Sequence, residues 1–549
     1  MMRESFFGLN VSIKGLYSAQ RSLNVVSHNL SNASTPGYSR QQAVQVASKP
    51  IAMRDGTGMI GTGSNVISIQ RIRDEYLDYK YWSENVSYKE WTTKSTLLNE
   101  LEAAFNEPSD SGFSTVLDSF FASMQELSKD PDSPAVRAIV KERGVTIAKY
   151  FNNMARHFEK LQSDVNDMVK SKVEEINSIA TQIQELNRQI YRAELDGSTA
   201  NDLRDQRTVL VDTLSGIVNI SVNEVVVGRL PSGAEDKHFS VSISGKALVD
   251  HYDVSKLAVK QRPEKLNEEE DIGNLYEVVW ADGNSLEVKG GELKGYLDMR
   301  DGNDSAPAST GYQGNLKESP AFKGIPYYIK KMNEFVRTWA MCFNEGYIKD
   351  SSGTIQDGLG HADGFGIDPD GSGPLTAPTG IRFFTMLGAD GKPLDSTDFI
   401  DGETTTAGIA DRYKNITAKN FSVSSDVIEN CRSAIAASGN PSQVGNIDNL
   451  QALLDMRHDT HMFSEGAPED FMKSLVATLG IDSQMALMFA ENQENVVGQV
   501  VNRRLSTSGV STNEELTDMI RFQHAYNASA MMITTMSQVY DTLINKMGV

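Results

Sequence analysis

Asn24-Val-Val-Ser-His-Asn-Leu-Ser-Asn-Ala-Ser-Thr-Pro-Gly-Tyr-Ser-Arg40 is the stretch that decides how this chain folds. Upstream of it, Leu9, Ser12, Leu16, Ala19, Leu23, Val26 and Leu30 step by alternating three and four residues. That is the a/d spacing of a coiled-coil seam, narrower than the apolar stripe of an ordinary surface helix. Asn29 and Asn32 crowd the helix end, and Thr35-Pro36-Gly37 stops it. Proline pushes Thr35 out of the helical region, and Gly37 tolerates positive φ. The chain then leaves in an extended run from Ser39 to Val46. The reading is a helix, a sharp polar turn and a strand.

The far end of the chain answers this one. Leu516, Met519, Gln523, Tyr526, Ala530, Ile533, Ser537, Tyr540, Ile544 and Met547 keep the same step to the terminus. Roughly 33 residues at 1.5 Å each predict a rod of about 50 Å. Charge supports pairing of the two ends. Residues 1–50 carry Arg3, Lys14, Arg21, Arg40 and Lys49 against Glu4, whereas the last stretch carries Glu514, Glu515, Asp518 and Asp541 against Arg521 and Lys546. Such complementarity is modest and screened by salt.

This pair of ends resembles the axial proteins of the bacterial flagellum, the rod, hook and hook-associated proteins. There a helix closing on an Asn-x-x-Asn-x-x-Thr-Pro-Gly-Tyr-Ser-like turn, here Asn29 to Ser39, faces a C-terminal coiled helix. Two internal runs resemble the hook-associated members in particular: Gly61-Thr-Gly-Ser-Asn-Val-Ile-Ser-Ile-Gln-Arg-Ile-Arg-Asp-Glu-Tyr-Leu77, continuing to Tyr81, and Asn201-Asp-Leu-Arg-Asp-Gln-Arg-Thr-Val-Leu-Val-Asp-Thr-Leu-Ser215.

Between the ends, periodicity divides the chain. Residues 41–72 read as short strands and turns with Gly56, Gly58, Gly61 and Gly63 as breakers. Gly58-Met-Ile-Gly-Thr-Gly63 lacks the Lys-Ser/Thr of a phosphate loop and reads as turns. Long helices are expected over 74–106, 113–127 and from Pro134 to about Leu195, and the Asn201 helix follows. Its two Asp and two Arg read as i, i+3 and i, i+4 ion pairs on a packed surface. From Ile217 the period becomes that of strands. Helices return at Gly290–Asp301 and Ile325–Tyr347, with short strands near Ile381–Met386 and Phe421–Ser424, then helices over 426–505. The expected fold is multidomain α+β. It comprises a discontinuous α-helical coiled-coil terminal module (1–60 and 506–549) and a long-helix bundle domain (61–217, 291–349 and 426–505). An antiparallel β domain (218–290) is inserted, and Gly/Asp-rich loops with short strands (350–425) are grouped with the helical domain.

At 549 residues and a formal charge of −21, the chain has the length for several domains and the wrong sign for a nucleic-acid partner. No stretch reaches the roughly 18 apolar residues of a membrane span, and no basic segment precedes an apolar core at the N-terminus. Composition alone predicts a cytoplasmic protein. The resemblance implies instead an extracellular flagellar component, exported through the flagellum's own channel without a cleaved signal.

No enzyme constellation emerges. Cys342 and Cys431 cannot build a disulfide framework and read as small buried residues. Asp368-Pro-Asp-Gly-Ser-Gly373 matches half of a calcium loop, but its twelfth position is Thr379, so it reads as a solvated turn. His458 and His461 stand three apart, as one helix face could present to a metal, yet no third ligand and no HExxH pattern accompany them. No nucleophile-elbow pattern is present either. The expectation is a non-enzymatic protein with no cofactor and no metal.

The seam residues Leu16, Leu23, Leu30, Tyr526, Ile533 and Tyr540 are therefore the expected subunit contacts. Asn29, Asn32, Pro36, Gly37 and Tyr38 carry the turn and set the helix-to-strand bend. A narrow seam on a lone helix does not offset an ordering cost of roughly 1–2 kcal/mol per residue. Both ends are expected to be disordered in the free subunit and to fold on assembly. The resemblance implies a ring that joins the hook to the next hook-associated protein and the filament. Its partners are copies of itself, hook protein, the second junction protein and a cytoplasmic export chaperone on the C-terminal helix, with no nucleic acid and no membrane. A hook or rod subunit, or an axial subunit carrying an enzymatic insertion, is the alternative.

Overall fold

The computed structural model of the chain describes residues 6–52, 58–105, 112–233, 235–309, 312, 314, 316–349, 355–356, 358–368, 379–441, 443 and 445–546. Met547 of the C-terminal seam and Pro369–Gly373 of the calcium-like loop lie outside these.

Helix α1 (Phe7–Ser31) ends where Asn32 donates its backbone N–H back to His28 and Asn29. Strand β1 (Gln41–Ala47) follows the turn and pairs antiparallel with β4 (Ser64–Arg71), with a bulge between Val44 and Gln45. Short strands β2 (Ile51–Ala52) and β3 (Met59–Ile60) extend the ribbon. It lies along α1, where Ser18 donates its hydroxyl to the Ser64 carbonyl at 3.1 Å and Arg21 reaches the Val66 carbonyl at 3.4 Å.

The helical body follows: α2 (Glu75–Phe105), α3 (Phe113–Lys129), α4 (Pro134–Glu194) and α5 (Asn201–Ile217). Pro134 sits in the first turn of α4, where its missing N–H costs nothing. Along the 61 residues of α4, Val165, Val169, Val173, Ile176, Ile179, Ile183 and Ile190 keep one buried edge.

Strands β5 (Ser221–Arg229), β6 (Glu235–Ile243), β7 (Lys246–Asp250) and β8 (Asp253–Val254) form one antiparallel sheet in sequence order. Strands β9 (Leu257–Gln261) and β10 (Tyr276–Trp280) pair separately. The β segment thus divides into two small sheets, both seated on α4 and α5 through Val169, Ile176, Ile183, Val211, Leu214, Val241, Leu248 and Trp280.

Helices α6 (Glu292–Asp301) and α7 (Ile325–Glu345) return to the body, and β11 (Ile348–Lys349) pairs with β12 (Ile355–Gln356). Beyond them β13 (Phe384–Met386) pairs with β14 (Phe421–Val423), among short helices α8 (Ser396–Ile400), α9 (Thr406–Arg412), α10 (Ser425–Glu429), α11 (Cys431–Ala434) and α12 (Asp448–Asp455). This region shares the main core: Phe383, Phe384, Phe399, Tyr413 and Phe421 are buried with Phe113, Phe120, Phe151, Phe335 and Trp339 of the helices. Phe335 stacks on Phe151 with centroids 5.2 Å apart, an aromatic cluster that accounts for much of the apolar area lost to water here.

Helix α13 (Pro468–Ser508) runs antiparallel to α2, as three contacts fix: Ser483 to Asn99 at 2.8 Å, Phe489 to Trp91 at 4.8 Å between centroids, and Arg504 to Asp78 at 2.8 Å. Helix α14 (Thr512–Asp541) then turns back along α1.

Candidate assembly interface and its clamp

Helices α1 and α14 pair antiparallel. Phe6 meets Tyr540 with ring centroids 5.1 Å apart, and a Cβ at Gly8 would lie 3.0 Å from Met536 Cε. Farther along, a Cβ at Gly15 would lie 3.1 Å from Ser529 Oγ, and Asn29 reaches Glu515. Leu16, Leu23 and Leu30 on α1, and Tyr526, Ile533 and Tyr540 on α14, are all half-buried in this pair.

The C-terminal seam differs from its sequence reading at alternate positions. Gln523 and Ser537 are exposed, as are Leu516 at 45% and Ile544 at 64%, while Phe522, Ser529 and Met536 turn inward with Met519, Tyr526, Ile533 and Tyr540. Between Met519, Tyr526, Ile533 and Tyr540 the inward positions lie three residues on instead of four, except that Ala530 is half-buried beside Ser529. Burial favours that side because Phe522 and Met536 are apolar where Gln523 and Ser537 are not. Outside this seam α14 stays open: Ile520, Met531, Met532 and Val539, and Leu543 just past its end, are between 46% and 70% exposed.

Asn29 is the centre of the turn. Its side chain is buried, and Oδ1 accepts from the Tyr38 hydroxyl at 2.8 Å and the Gln41 N–H at 2.9 Å. Nδ2 donates to the Gln41 carbonyl at 2.8 Å and to Glu515 Oε2 at 3.1 Å. Both acceptor and both donor positions of the amide are filled, a set that neither Asp nor Leu supplies. Burial and then the carboxylates of Asp202, Asp205 and Glu515 hold the Tyr38 phenol far above its ordinary value, so it stays a donor. Glu515 is itself buried and takes Arg40 Nε at 2.6 Å, while Arg40 also faces Glu514 at 3.2 Å and Asp518 at 3.6 Å. The Arg40 N–H donates to the Ser508 carbonyl at 2.8 Å, tying the turn to the end of α13. Asn32 works locally: Nδ2 donates to the His28 carbonyl at 3.0 Å, and Oδ1 accepts from Thr35 at 3.2 Å. Pro36 and Gly37 are exposed, and Gly37 has φ +75° with Val209 of α5 pressed against it.

The turn therefore docks on α5, and this overturns the ion-pair reading of the Asn201 helix. Its charges pair across elements, not along the helix. Asp205 accepts from the Ser39 N–H at 2.8 Å, the Ser39 hydroxyl at 2.9 Å and Arg71 at 2.9 Å, with Arg73 at 3.5 Å. Asp202 accepts from Gln41 at 2.6 Å and meets His28 at 3.3 Å. Arg204 leaves for Glu194 and Glu224, and Arg207 for Glu224 and Asn187. From Arg73 the network runs to Asp78 at 2.6 Å, to Arg504 at 2.8 Å, to Asp212 at 3.0 Å and to the Trp82 indole N–H at 2.6 Å. Burial raises the Asp212 carboxyl despite its cationic neighbours. Sequence reasoning gave no role to Arg73 and Asp212, which lie within the two marker runs, or to Asp78 and Arg504, whose signal was charge on otherwise packed helices.

Elsewhere His458 lies on a 3-10 turn and His461 in an exposed bend beside Asp459, so no helix face presents the two rings together. Among the described residues no group of three His, Cys, Asp or Glu side chains is placed to hold a metal, and no helix is long and apolar enough to cross a membrane.

Comparison with known proteins agrees along the whole chain. Residues 98–344 match the family described as flagellar hook-associated protein FlgK helical domain. Residues 9–38 match the flagella basal body rod protein family, and 501–546 the flagellar basal body rod FlgEFG protein C-terminal family. Flagellar hook-associated protein 1 of Bacillus subtilis is 29% identical over 100% of this chain and 99% of its own length. The Salmonella typhimurium protein of that name is 26% identical over 98% and 99%. A solved structure, the flagellar hook junction protein FlgK from Burkholderia pseudomallei, shares the fold with a TM-score of 0.52 at 15% identity, covering 78% of this chain and 100% of that one. The likeness to flagellar hook-associated proteins, structural parts of the flagellum, thus runs from end to end of the chain.

Proposed function

We propose that this flagellar structural protein forms the junction ring that connects the hook to the next hook-associated protein and the filament, by packing copies of its terminal module side by side. The observation that carries the reading is the open face of α14, an apolar stripe on a helix that fully buries only Glu515 among its described residues. Half-buried side chains return less than the 1.5–3 kcal/mol or so of full burial, against about 1–2 kcal/mol of ordering cost per residue. The pair α1–α14 is thus marginal alone and gains its missing burial from neighbouring copies. In the free subunit both ends are disordered. They coil together on assembly, which keeps the exported chain unpolymerised until it reaches the tip.

The same exposed stripe suits a cytoplasmic export chaperone before export, and the two rims of the ring contact hook protein and the second junction protein. Electron microscopy of cells lacking the gene tests this reading. Hooks without filaments, with flagellin lost to the medium, are expected; cells without hooks would refute it.

A further inference from the structure

The seat of the four-stranded sheet on the helical body contains a group of rings that the assembly role does not use. Three α4 amides on one face catch the backbone of the β segment. Asn177 brackets Leu257, accepting from its N–H and donating to its carbonyl at 2.8 Å each. Gln184 donates to the Tyr252 carbonyl, and Asn187 to the His251 carbonyl at 2.9 Å. His251 occupies the β7–β8 turn with φ +49°. Its ring stacks on His238 of β6 with centroids 4.0 Å apart and planes 10° from parallel, while Tyr252 covers it at 3.9 Å.

The geometry accepts a neutral His251 and has no place for its cation. The Phe239 N–H points at Nδ1 from 3.4 Å, so that nitrogen is a lone-pair acceptor, and the buried Nε2 has no partner. A proton on Nδ1 would set two N–H groups against each other. The titratable surroundings are Arg204 and Arg207 on α5, Glu224 on β5, Glu235, Asp236, Lys237 and His238 on β6, Asp250 on β7, and Arg188, Tyr191, Arg192 and Glu194 on α4, the last bound to Arg204. Arg207 lies 3.7 Å over the Phe239 ring, and both α5 arginines are committed to Glu224. Glu224 is therefore not free to balance a new cation. Burial, then His238, depress the His251 imidazole below its ordinary value, in keeping with the contacts.

We propose that the stacked His238–His251 pair is an acid-sensitive latch: protonation frees the β5–β8 sheet from α4 and α5 while the helical body stays folded. The sign follows from the neutral docked ring. Above the ordinary histidine value near 6.5 the latch holds fully, and below it the open form takes up a proton that the closed form refuses. Each pH unit then raises the opening constant about tenfold for one proton, until the docked ring itself titrates.

The test is hydrogen exchange of the full-length protein at pH 7.5 and 5.5, corrected for intrinsic exchange. The latch predicts that protection of residues 238–260 falls about tenfold at the lower pH while residues 113–127 and 147–165 keep theirs. His251→Asn retains a residue that tolerates positive φ and lacks the titrating ring, so it should abolish the difference. His238→Gln, which leaves the turn intact, should weaken it. Unchanged protection of 238–260 in the wild-type chain, parallel loss in the helical peptides, or a full pH response in His251→Asn would each overturn the proposal.

Discussion

Gly37→Ala puts the docking of the turn on α5 to a quantitative test, because its two penalties can be separated. The backbone sits at φ +75°, where an L side chain costs about 1–2 kcal/mol. The new Cβ would fall 2.1 Å from Val209 Cγ2, far inside the contact distance of about 3.5–4.0 Å. Relieving that overlap means displacing the turn or α5, an overpacking cost of about 1–3 kcal/mol. The single variant should therefore lose about 2–5 kcal/mol at the junction. Val209→Ala alone removes two methyl groups from a half-buried site and should cost about 1 kcal/mol. In the double variant the overlap vanishes and the backbone penalty stays, so the pair should show a favourable coupling of about 1–3 kcal/mol. A chain with several cores need not unfold in one step, so the assay is hydrogen exchange in assembled protein at residues 38–41 and 203–209. A loss of 2 kcal/mol would read there as roughly a 30-fold fall in protection. If Gly37→Ala leaves protection within about twofold, or Val209→Ala restores none of it, the turn is not held against α5 as described.

Three further outcomes are expected. Glu515→Ala strips the buried partner from Arg40 and from Asn29 Nδ2, and because Arg40 keeps Glu514 and Asp518 the loss should be about 3 kcal/mol, seen as faster proteolysis within 512–546 in assembled protein. His361 is buried and neutral, its Nδ1–H donating to the Ile381 carbonyl at 2.8 Å and its Nε2 accepting from the Ala436 N–H at 3.0 Å, and burial pushes it down to about 4. Its contribution is whole above pH 6.5 or so and fades by up to about 3 kcal/mol towards pH 4, so His361→Gln should flatten the urea midpoint across that window. Met531→Asp and Val539→Asp, on the open face of α14, should leave subunit stability within about 0.5 kcal/mol and abolish incorporation into flagella, scored by immunogold labelling.

How much of this was legible in the sequence depended on range. Local signals carried well: Pro134 opening α4, Thr35-Pro36-Gly37 ending α1, and the valine and isoleucine edge of α4 each act within a turn or two of chain. The seam on α14 was half legible, since Met519, Tyr526, Ile533 and Tyr540 could be paired with residues three or four on, and only side-chain polarity at 522/523 and 536/537 decides. The two marker runs were visible but not their meeting. Nothing local says that Asp205 receives Ser39 from 166 positions away, or that Arg504 returns to Asp78. A helix rich in Asp and Arg looks self-paired until a neighbour claims the charges. Phe383, Phe384 and Phe421 were equally opaque: strands could be read there, but not that they cap the aromatic core of distant helices.

The terminal rod joins the rest of the molecule by two strands of backbone, one leaving the ribbon into α2 at Ile72–Asp74 and one passing from α13 to α14 at Gly509–Ser511, and the Arg40–Ser508 bond laces them side by side. A single covalent connection would let the rod swivel about its bonds; a laced pair can turn only by breaking the Arg73–Asp78–Arg504 bridge together with the Ser39–Asp205 and Gln41–Asp202 bonds to α5. On the junction role proposed above, a subunit joined in this way would hand torque on from one end to the other instead of losing it as rotation.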